Sequence, residues 1–338
     1  MAKILNMKAS SFECGKISAK RNKLISDEKF ESLLSLSFDE IIKFLEEHGF
    51  RESVDSSFLQ FQGFYLIERI LNMQLSKIYA QVFASASKQN KILLETYYLK
   101  YQIHNLMVLI RCKNSGEKEF EPFLIGDERK KSKFIKAFEM PKLEDAIVYI
   151  SKKLKFDEHE VLDSYSKGIY YLENYLYKKY YEKLNASKFK FNGIDENKFF
   201  NFTKTYIDLL NARSLMKFLL EGEKTLLFDD IFIKGGNLNL DYFEKLKSSS
   251  INDLLKEFET KFSDIKVNDE NLSSIAILDK KINILKSNSR DVLKIASFGS
   301  PFYILKYLFD LEFQTSRLRI LLKSKYLGLK KEEIKNIM

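Results

Sequence analysis

The sequence predicts an all-α protein made of three similar helical domains. One seven-residue pattern supports this, because Asn105–Arg111 returns as Asn211–Lys217 and again as Arg317–Lys323, each copy 106 residues after the last. Each copy then reaches a glycine at the same position, and a lysine follows two residues later: Gly116 and Lys118, Gly222 and Lys224, Gly328 and Lys330. Only 12 glycines and 3 prolines occur among 338 residues, so few positions interrupt helices. A fixed period of this length indicates repeated domains.

The seven-residue pattern is that of an amphipathic helix. Its second, fifth and sixth positions are apolar in every copy, and at about 100° per residue they fall on one face. These positions are Leu106, Leu109 and Ile110, then Ala212, Leu215 and Met216, then Leu318, Leu321 and Leu322. The glycine that follows predicts the helix end, since glycine readily takes the left-handed conformation required there.

Two further sets of matches repeat at nearly the same interval. In the first set, Ser37 with Glu40 and Ser250 with Asp253 predict helix N-termini, and Pro141 before Lys142 predicts the start in the middle copy. The second set comprises Ile67-Glu68, Leu172-Glu173 and Leu278-Asp279, which we place on helices over Phe58–Phe83, Asp163–Leu184 and Asn271–Leu285. Together the repeats predict domains at 1–104, 105–210 and 211–338.

The phase of the repeats leaves one helix without a domain of its own. The copy at Arg317–Lys323 has no domain after it, whereas the first domain has no such helix before it. We therefore predict that the C-terminal helix docks beside the N-terminal domain and closes a pseudo-threefold ring.

Composition limits the function classes. The net charge of +9 allows acidic protein partners, nucleic acid or anionic lipid. Two cysteines suit a reducing compartment, and no apolar run is long enough to span a membrane. The N-terminus lacks the apolar core of a signal peptide. We expect a soluble, cytoplasmic protein.

No motif for catalysis, a cofactor or a metal stands out. Gly222-Glu223-Lys224-Thr225 has the wrong spacing for a phosphate-binding loop. His48, His104 and His159 lie far apart, without further donors at ligand spacing. No nucleophile elbow or zinc-protease motif is present. We expect no cofactor and no enzymatic activity, although an unrecognised site stays open as an alternative.

Several segments together resemble a known family. The resemblance rests on Leu24–Ser26, Gln102–Asn105, Asp208–Asn211, Ser300–Phe302, Tyr307-Leu308, Glu312, Arg317–Ile320, Lys323–Lys325 and Gly328-Leu329. These segments are similar to the C subunit of archaeal and bacterial V/A-type rotary ATPases, the equivalent of the d subunit in the eukaryotic V-ATPase. The sequence departs from that family at Gln314, Arg317 and Ser324, where glutamate, asparagine and glycine are usual.

The resemblance implies a funnel-shaped, non-catalytic adaptor of the central stalk. Such an adaptor receives the tip of the central shaft and sits on the membrane proteolipid ring, at the cytoplasmic face. It thereby links ATP turnover to ion transport, and it associates with the membrane only through the complex. The resemblance leaves open whether protons or sodium ions are carried, and in which direction the motor runs.

The basic residues of the repeat are the candidate partner contacts. The last position of the pattern is always basic and points away from the apolar face, and basic residues recur near its third position. The candidates are Arg111, Arg213, Lys217, Arg317, Arg319 and Lys323. They could pair with acidic residues of the shaft or ring, or they could simply be solvated charges. For Asn105 and Asn211 we predict hydrogen bonds to neighbouring backbone groups.

A basic helical module that binds nucleic acid is the alternative function. Net charge and aromatic-basic stretches such as Tyr175–Tyr181 permit it. However, the positive residues are interspersed with 47 acidic residues. That distribution favours a mixed solvated surface over a continuous phosphate-binding track.

Overall fold

Helices joined by short connections make up the described part of the chain. The computed structural model describes residues 10–187, 193–221, 228–265, 277–278, 281, 284 and 298–337, and no β-strand occurs among them. The predicted all-α class is therefore confirmed. Gly222-Glu223-Lys224-Thr225 lies outside the described residues, as do Asp279 and most of the helix predicted over Asn271–Leu285.

Sixteen α-helices can be numbered along the described residues, besides a π-helical segment at Glu46–Phe50 and a 3-10 turn at Glu121–Phe123. The first eight are α1 Ser11–Arg21, α2 Asp27–Leu33, α3 Phe38–Leu45, α4 Arg51–Phe58, α5 Gly63–Ser85, α6 Lys88–Ser115, α7 Glu128–Phe138 and α8 Leu143–Leu154. The others are α9 Glu158–Lys167, α10 Ile169–Ser187, α11 Ile194–Glu221, α12 Phe228–Ile231, α13 Leu240–Leu246, α14 Ile251–Lys261, α15 Pro301–Tyr326 and α16 Lys331–Ile337.

Most predicted helix ends are confirmed. The backbone N–H of Glu40 donates to the Ser37 hydroxyl, and the Glu40 carboxylate accepts from the Ser37 N–H in return. The Ser250 hydroxyl accepts the Asp253 N–H at the start of α14, and α8 begins directly after Lys142. Gly116 ends α6 with a φ of 72°, which glycine adopts without strain.

Two predicted helices were too long at their N-termini. The helix predicted from Phe58 begins only at Gly63, because α4 ends at Phe58 and the chain turns before α5. The helix predicted over Asp163–Leu184 is divided at Gly168, whose positive φ of 130° with a ψ of 161° lies far from the helical region. Only glycine takes this backbone conformation easily, so α9 ends there and α10 begins.

The described residues form two compact units. One comprises residues within Phe156–Phe302, and the other joins residues 10–155 to 303–337. The boundaries predicted after residues 104 and 210 fall inside α6 and α11. The division into three similar domains stays a prediction.

In the discontinuous unit, the C-terminal helices complete the core of the N-terminal helices. The core side chains are Phe30, Leu33, Leu34, Ile41, Ile42, Leu45, Phe50, Val54, Leu66, Ile67, Ile70 and Leu71 from α2 to α5, with Leu318, Leu321 and Leu322 from α15 and Ile334 from α16. Each fully buried leucine contributes about 1.5–3 kcal/mol. The predicted docking of the C-terminal helix beside the N-terminal domain is therefore confirmed, whereas closure of a threefold ring stays a prediction.

The contiguous unit has its own aromatic core. Helices α11 to α14 surround Phe228, Phe243 and Phe258, all fully buried. Within the described part of the chain, no helix is both long and apolar enough to cross a membrane.

Candidate partner-contact surface

The repeated pattern lies on three long helices, α6, α11 and α15. All nine apolar positions predicted to face a core are fully buried: Leu106, Leu109, Ile110, Ala212, Leu215, Met216, Leu318, Leu321 and Leu322. The three copies therefore place the same face inward, which fixes where their polar side chains can point.

Asn105 and Asn211 clamp the backbone in the same way. Asn105 Nδ2 donates to the Ile125 carbonyl at 2.8 Å, and the Ile125 N–H donates back to Asn105 Oδ1 at 2.9 Å. Asn211 makes the same pair with Ile233, at 2.8 Å in both directions. Both asparagines are fully buried. The predicted backbone role is confirmed, and each clamp holds the segment that follows its helix.

The third copy replaces the clamp with two other side chains. Arg317 stands at the asparagine position, where its guanidinium cannot accept a hydrogen bond. It lies 3.8 Å above the Phe30 ring and donates to Asp27 at 2.6 Å. Gln314, one turn earlier, accepts the Ile25 N–H at 2.7 Å instead. Arg317 and Gln314 thus both hold the N-terminal segment.

Arg319 and Lys323 face a buried carboxylate of the same chain. Glu68 on α5 is 6% exposed, and its oxygens lie 3.0 Å from Arg319 Nε and 2.7 Å from Lys323 Nζ. Arg319 also donates to Asn72 at 2.9 Å. Burial acts to raise the pKa of Glu68, but the two cations outweigh it and hold the pKa below its usual range.

A second carboxylate with several partners is that of Glu312 on α15, for which the sequence predicted no contact. Glu312 accepts hydrogen bonds from the hydroxyls of Tyr79 and Tyr97 and pairs with Lys100 at 2.6 Å. Burial, and then the charge of Glu312, raise the pKa of Tyr79 well above its usual range. The only sequence signal was the resemblance of Glu312 to the family, because its partners lie on α5 and α6, more than 200 positions earlier.

The remaining candidates lie on the other two long helices. Arg111 is exposed on α6, in the same unit as Arg317, Arg319 and Lys323. Arg213 and Lys217 are partly exposed on α11 in the contiguous unit, with Lys217 Nζ 5.6 Å from the Tyr170 ring centroid. The structure therefore brings only Arg319 and Lys323 together, at Glu68. Their role as partner contacts stays a prediction.

No metal site is formed by the described residues. No three histidine, cysteine, aspartate or glutamate side chains in that part of the chain are placed to hold a metal ion. His104 is partly buried, and its Nε2 lies 3.1 Å from the Phe123 carbonyl. Burial lowers the pKa of His104, so the neutral imidazole donates to that carbonyl as a structural contact.

Comparison with known proteins decides the family. Residues 14–337 match the family model described as ATP synthase (C/AC39) subunit. The chain belongs to this family. The resemblance found in the sequence is thereby confirmed.

Relatives of the C/AC39 chain are similar over nearly their whole length. The C subunit of the A-type ATP synthase of Archaeoglobus fulgidus is 24% identical, covering 98% of this chain and 97% of the relative. The corresponding protein of Methanosarcina barkeri is 26% identical, over 95% and 90%. That of Haloferax volcanii is 25% identical, over 94% of both. Each of these relatives is named as a subunit of an ATP synthase, and none of them as a nucleic-acid-binding protein.

Proposed function

We propose that this C/AC39 chain is a non-catalytic central-stalk component of a V/A-type rotary ATPase. It acts as a socket that links the central shaft to the membrane proteolipid ring, so that ATP turnover and proton or sodium transport are coupled. The main support for this proposal is the match of residues 14–337 to the family model. Relatives that match over nearly the whole chain are named as C subunits of A-type ATP synthases.

A coupling part must resist deformation, and the discontinuous unit has the contacts for this. The leucines of α15 pack into a core with α2 to α5, and close-packed interiors transmit strain because they compress little. Glu68 and Glu312 add ionic links between α15 and the helices α5 and α6. Because each link includes hydrogen bonds with a preferred direction, the links restrict the orientation of α15 against α5 and α6 as well as its position.

The finer architecture is part of the proposal. Three similar helical domains around one axis would form a funnel whose opening receives the shaft. The 106-residue spacing and the matching clamps of Asn105 and Asn211 support the repetition. The docking of α15 beside the N-terminal helices supports closure at one junction.

The proposed partner contacts are the cations of the repeat that are exposed or partly exposed to solvent. We assign shaft or ring contacts to Arg111, Arg213 and Lys217, and to the exposed part of Lys323, whose side chain is 37% exposed although it pairs with Glu68. Carboxylates on the partners would complement these cations. The chain would then lie on the cytoplasmic side, held at the membrane through the complex.

Purification from native membranes tests the proposal. A tagged full-length chain should recover the shaft subunits and the proteolipid ring in detergent, and membranes that lack the chain should lose ATP-driven ion pumping. Recovery of nucleic acid without rotary ATPase subunits would refute the assignment. An Arg111→Glu variant should assemble less well than a Lys43→Glu control, since Lys43 is an exposed lysine outside the candidate set.

A further inference from the structure

A cluster of lysines lies outside the surface described above. Helices α7 and α8 pack against each other. Lys136 from α7 and Lys153 from α8 approach the same ring, with their Nζ atoms 5.7 and 5.5 Å from the Tyr149 centroid. Lys133 lies one turn before Lys136, and it is close enough to Lys153 for their charges to repel. We call Lys133, Lys136, Lys153 and Tyr149 the α7–α8 basic cluster.

The lysines of this cluster lack ion-pair partners in the described part of the chain. None of its three lysines forms an ion pair with a carboxylate there, whereas Lys130 nearby pairs with Asp127. Burial, and then repulsion from Lys130 and Lys153, lowers the pKa of Lys133 to about 8. Crowded like charges cost stability. An anion bound here would relieve that cost.

The surrounding sequence concentrates the charge further. Residues 128–155 contain nine lysines and arginines but only four aspartates and glutamates. This short segment thus supplies more than half of the net charge of +9. Lys136 and Lys153 are exposed, so the cluster is open to a large anionic surface.

The geometry points to anionic phospholipid headgroups as the occupant: we propose that the α7–α8 basic cluster docks on the anionic surface of the membrane beside the proteolipid ring. This adds a direct lipid contact to the attachment through the complex, and it rests on the proposed function, because the rotary ATPase is what would hold the chain next to a bilayer. Lysine-rich segments near a membrane attract anionic lipids. Tyrosine is enriched at the interface between lipid and water.

An acidic protein partner fits the cluster less well. Protein interfaces are enriched in arginine and depleted in lysine, since the planar guanidinium matches a carboxylate with two hydrogen bonds. The three cations of the cluster are all lysines. Lysine binds phosphate as a point charge without a fixed direction, which suits mobile headgroups.

Vesicle binding by the full-length chain tests the proposal. The chain should sediment with vesicles of equal parts phosphatidylcholine and phosphatidylglycerol, and not with phosphatidylcholine alone. Each lysine near such a surface strengthens binding about fivefold, so Lys133→Gln/Lys136→Gln/Lys153→Gln should weaken it about 100-fold. High salt should abolish binding by the unaltered chain.

The matched control removes three charges elsewhere. Lys43, Lys245 and Lys256 are exposed and form no ion pair with the described residues, so changing all three to glutamine gives the same net charge. An equal loss in both triple variants would overturn the proposal, because net charge alone would then explain binding. So would tighter binding to polyglutamate than to vesicles. Unchanged helical circular dichroism shows that each variant is folded.

Failure of the lipid contact can be distinguished from failure of the proposed function. Absence of vesicle binding with normal recovery of the shaft and ring would overturn the lipid contact alone. Failure to recover those partners by a chain that still binds anionic vesicles would overturn the rotary assignment, and leave a peripheral membrane protein.

Discussion

Arg319 Nε on α15 lies 3.0 and 3.2 Å from the two carboxylate oxygens of Glu68 on α5, 251 positions away in sequence. Lys323 approaches the same carboxylate at 2.7 Å. Removing any one of these three charged groups destabilises the fold, because it leaves a charge of the others without compensation. The set therefore ties the end of the chain to its first third.

Replacing Glu68 by glutamine should destabilise the discontinuous unit. Two cations would face a neutral amide, but both keep contact with solvent, so we expect a loss of roughly 2 kcal/mol in the free energy of unfolding. Urea unfolding followed by circular dichroism measures it. Glu52→Gln is the control, because its pair with Lys77 is exposed and should cost less than about 1 kcal/mol. Equal losses would show that the buried set contributes nothing special.

Replacing Asn105 by alanine should unfold the chain at lower urea concentration. The substitution leaves the buried N–H of Ile125 without its acceptor, whereas the Ile125 carbonyl keeps the Tyr98 hydroxyl, so the cost is about 1–3 kcal/mol. Asn211→Ala should cost a similar amount through Ile233. Asn197→Ala, at an exposed position of α11, serves as the control. A loss at Asn105 no larger than at Asn197 would contradict the clamp.

Asparagine at position 317 should not stabilise the chain, although the other two copies of the repeat have asparagine at the equivalent position. The change removes the contact of Arg317 with the Phe30 ring and its pair with the exposed Asp27, together worth about 1–2 kcal/mol. No clamp is regained, because Gln314 already binds the Ile25 N–H. Thermal unfolding of Arg317→Asn tests this, and a higher Tm than that of the unaltered chain would contradict it.

Acidification should destabilise the discontinuous unit in two steps. The folded state lowers the pKa of His104 below 6.5, so the unfolded chain takes up a proton first and stability falls as the pH drops below about that value. The pKa of Glu68 is lowered from 4.5, so its contribution is present above that pH and is lost as the pH falls below it.

Unfolding midpoints between pH 7.5 and pH 5.5 separate the first step from the second. His104→Gln should reduce the fall in midpoint, since glutamine can donate to the Phe123 carbonyl without titrating. His159→Gln, at an exposed position, should leave the fall unchanged. The same slope in both variants would rule out His104 as the titrating group.

Local patterns predicted local features well. The caps at Ser37 and Ser250, the end of α6 at Gly116 and the nine buried positions of the repeat all follow from short-range spacing. Gly168 was missed because an isolated glycine is often tolerated within a helix, and only its backbone angles show the break.

The ionic contacts could not be predicted in the same way. Glu68 and Glu312 carry no local signal of their partners, because each pairing depends on helices brought together by the core. The contacts that replace the third clamp could not be predicted either. The sequence shows Arg317 in place of an asparagine, but it does not show that Gln314 accepts the Ile25 N–H. Whether the six basic candidates contact partners stays a prediction.

The placement of Leu318, Leu321, Leu322 and Ile334 in the core of α2 to α5 also has a consequence for synthesis. The first helices leave the ribosome with part of their apolar surface uncovered, and they must wait for the last helices. At about 5–20 residues per second this delay lasts tens of seconds. The contiguous unit has no such delay, so it can fold first, while the core of the N-terminal segment is completed only near the end of translation.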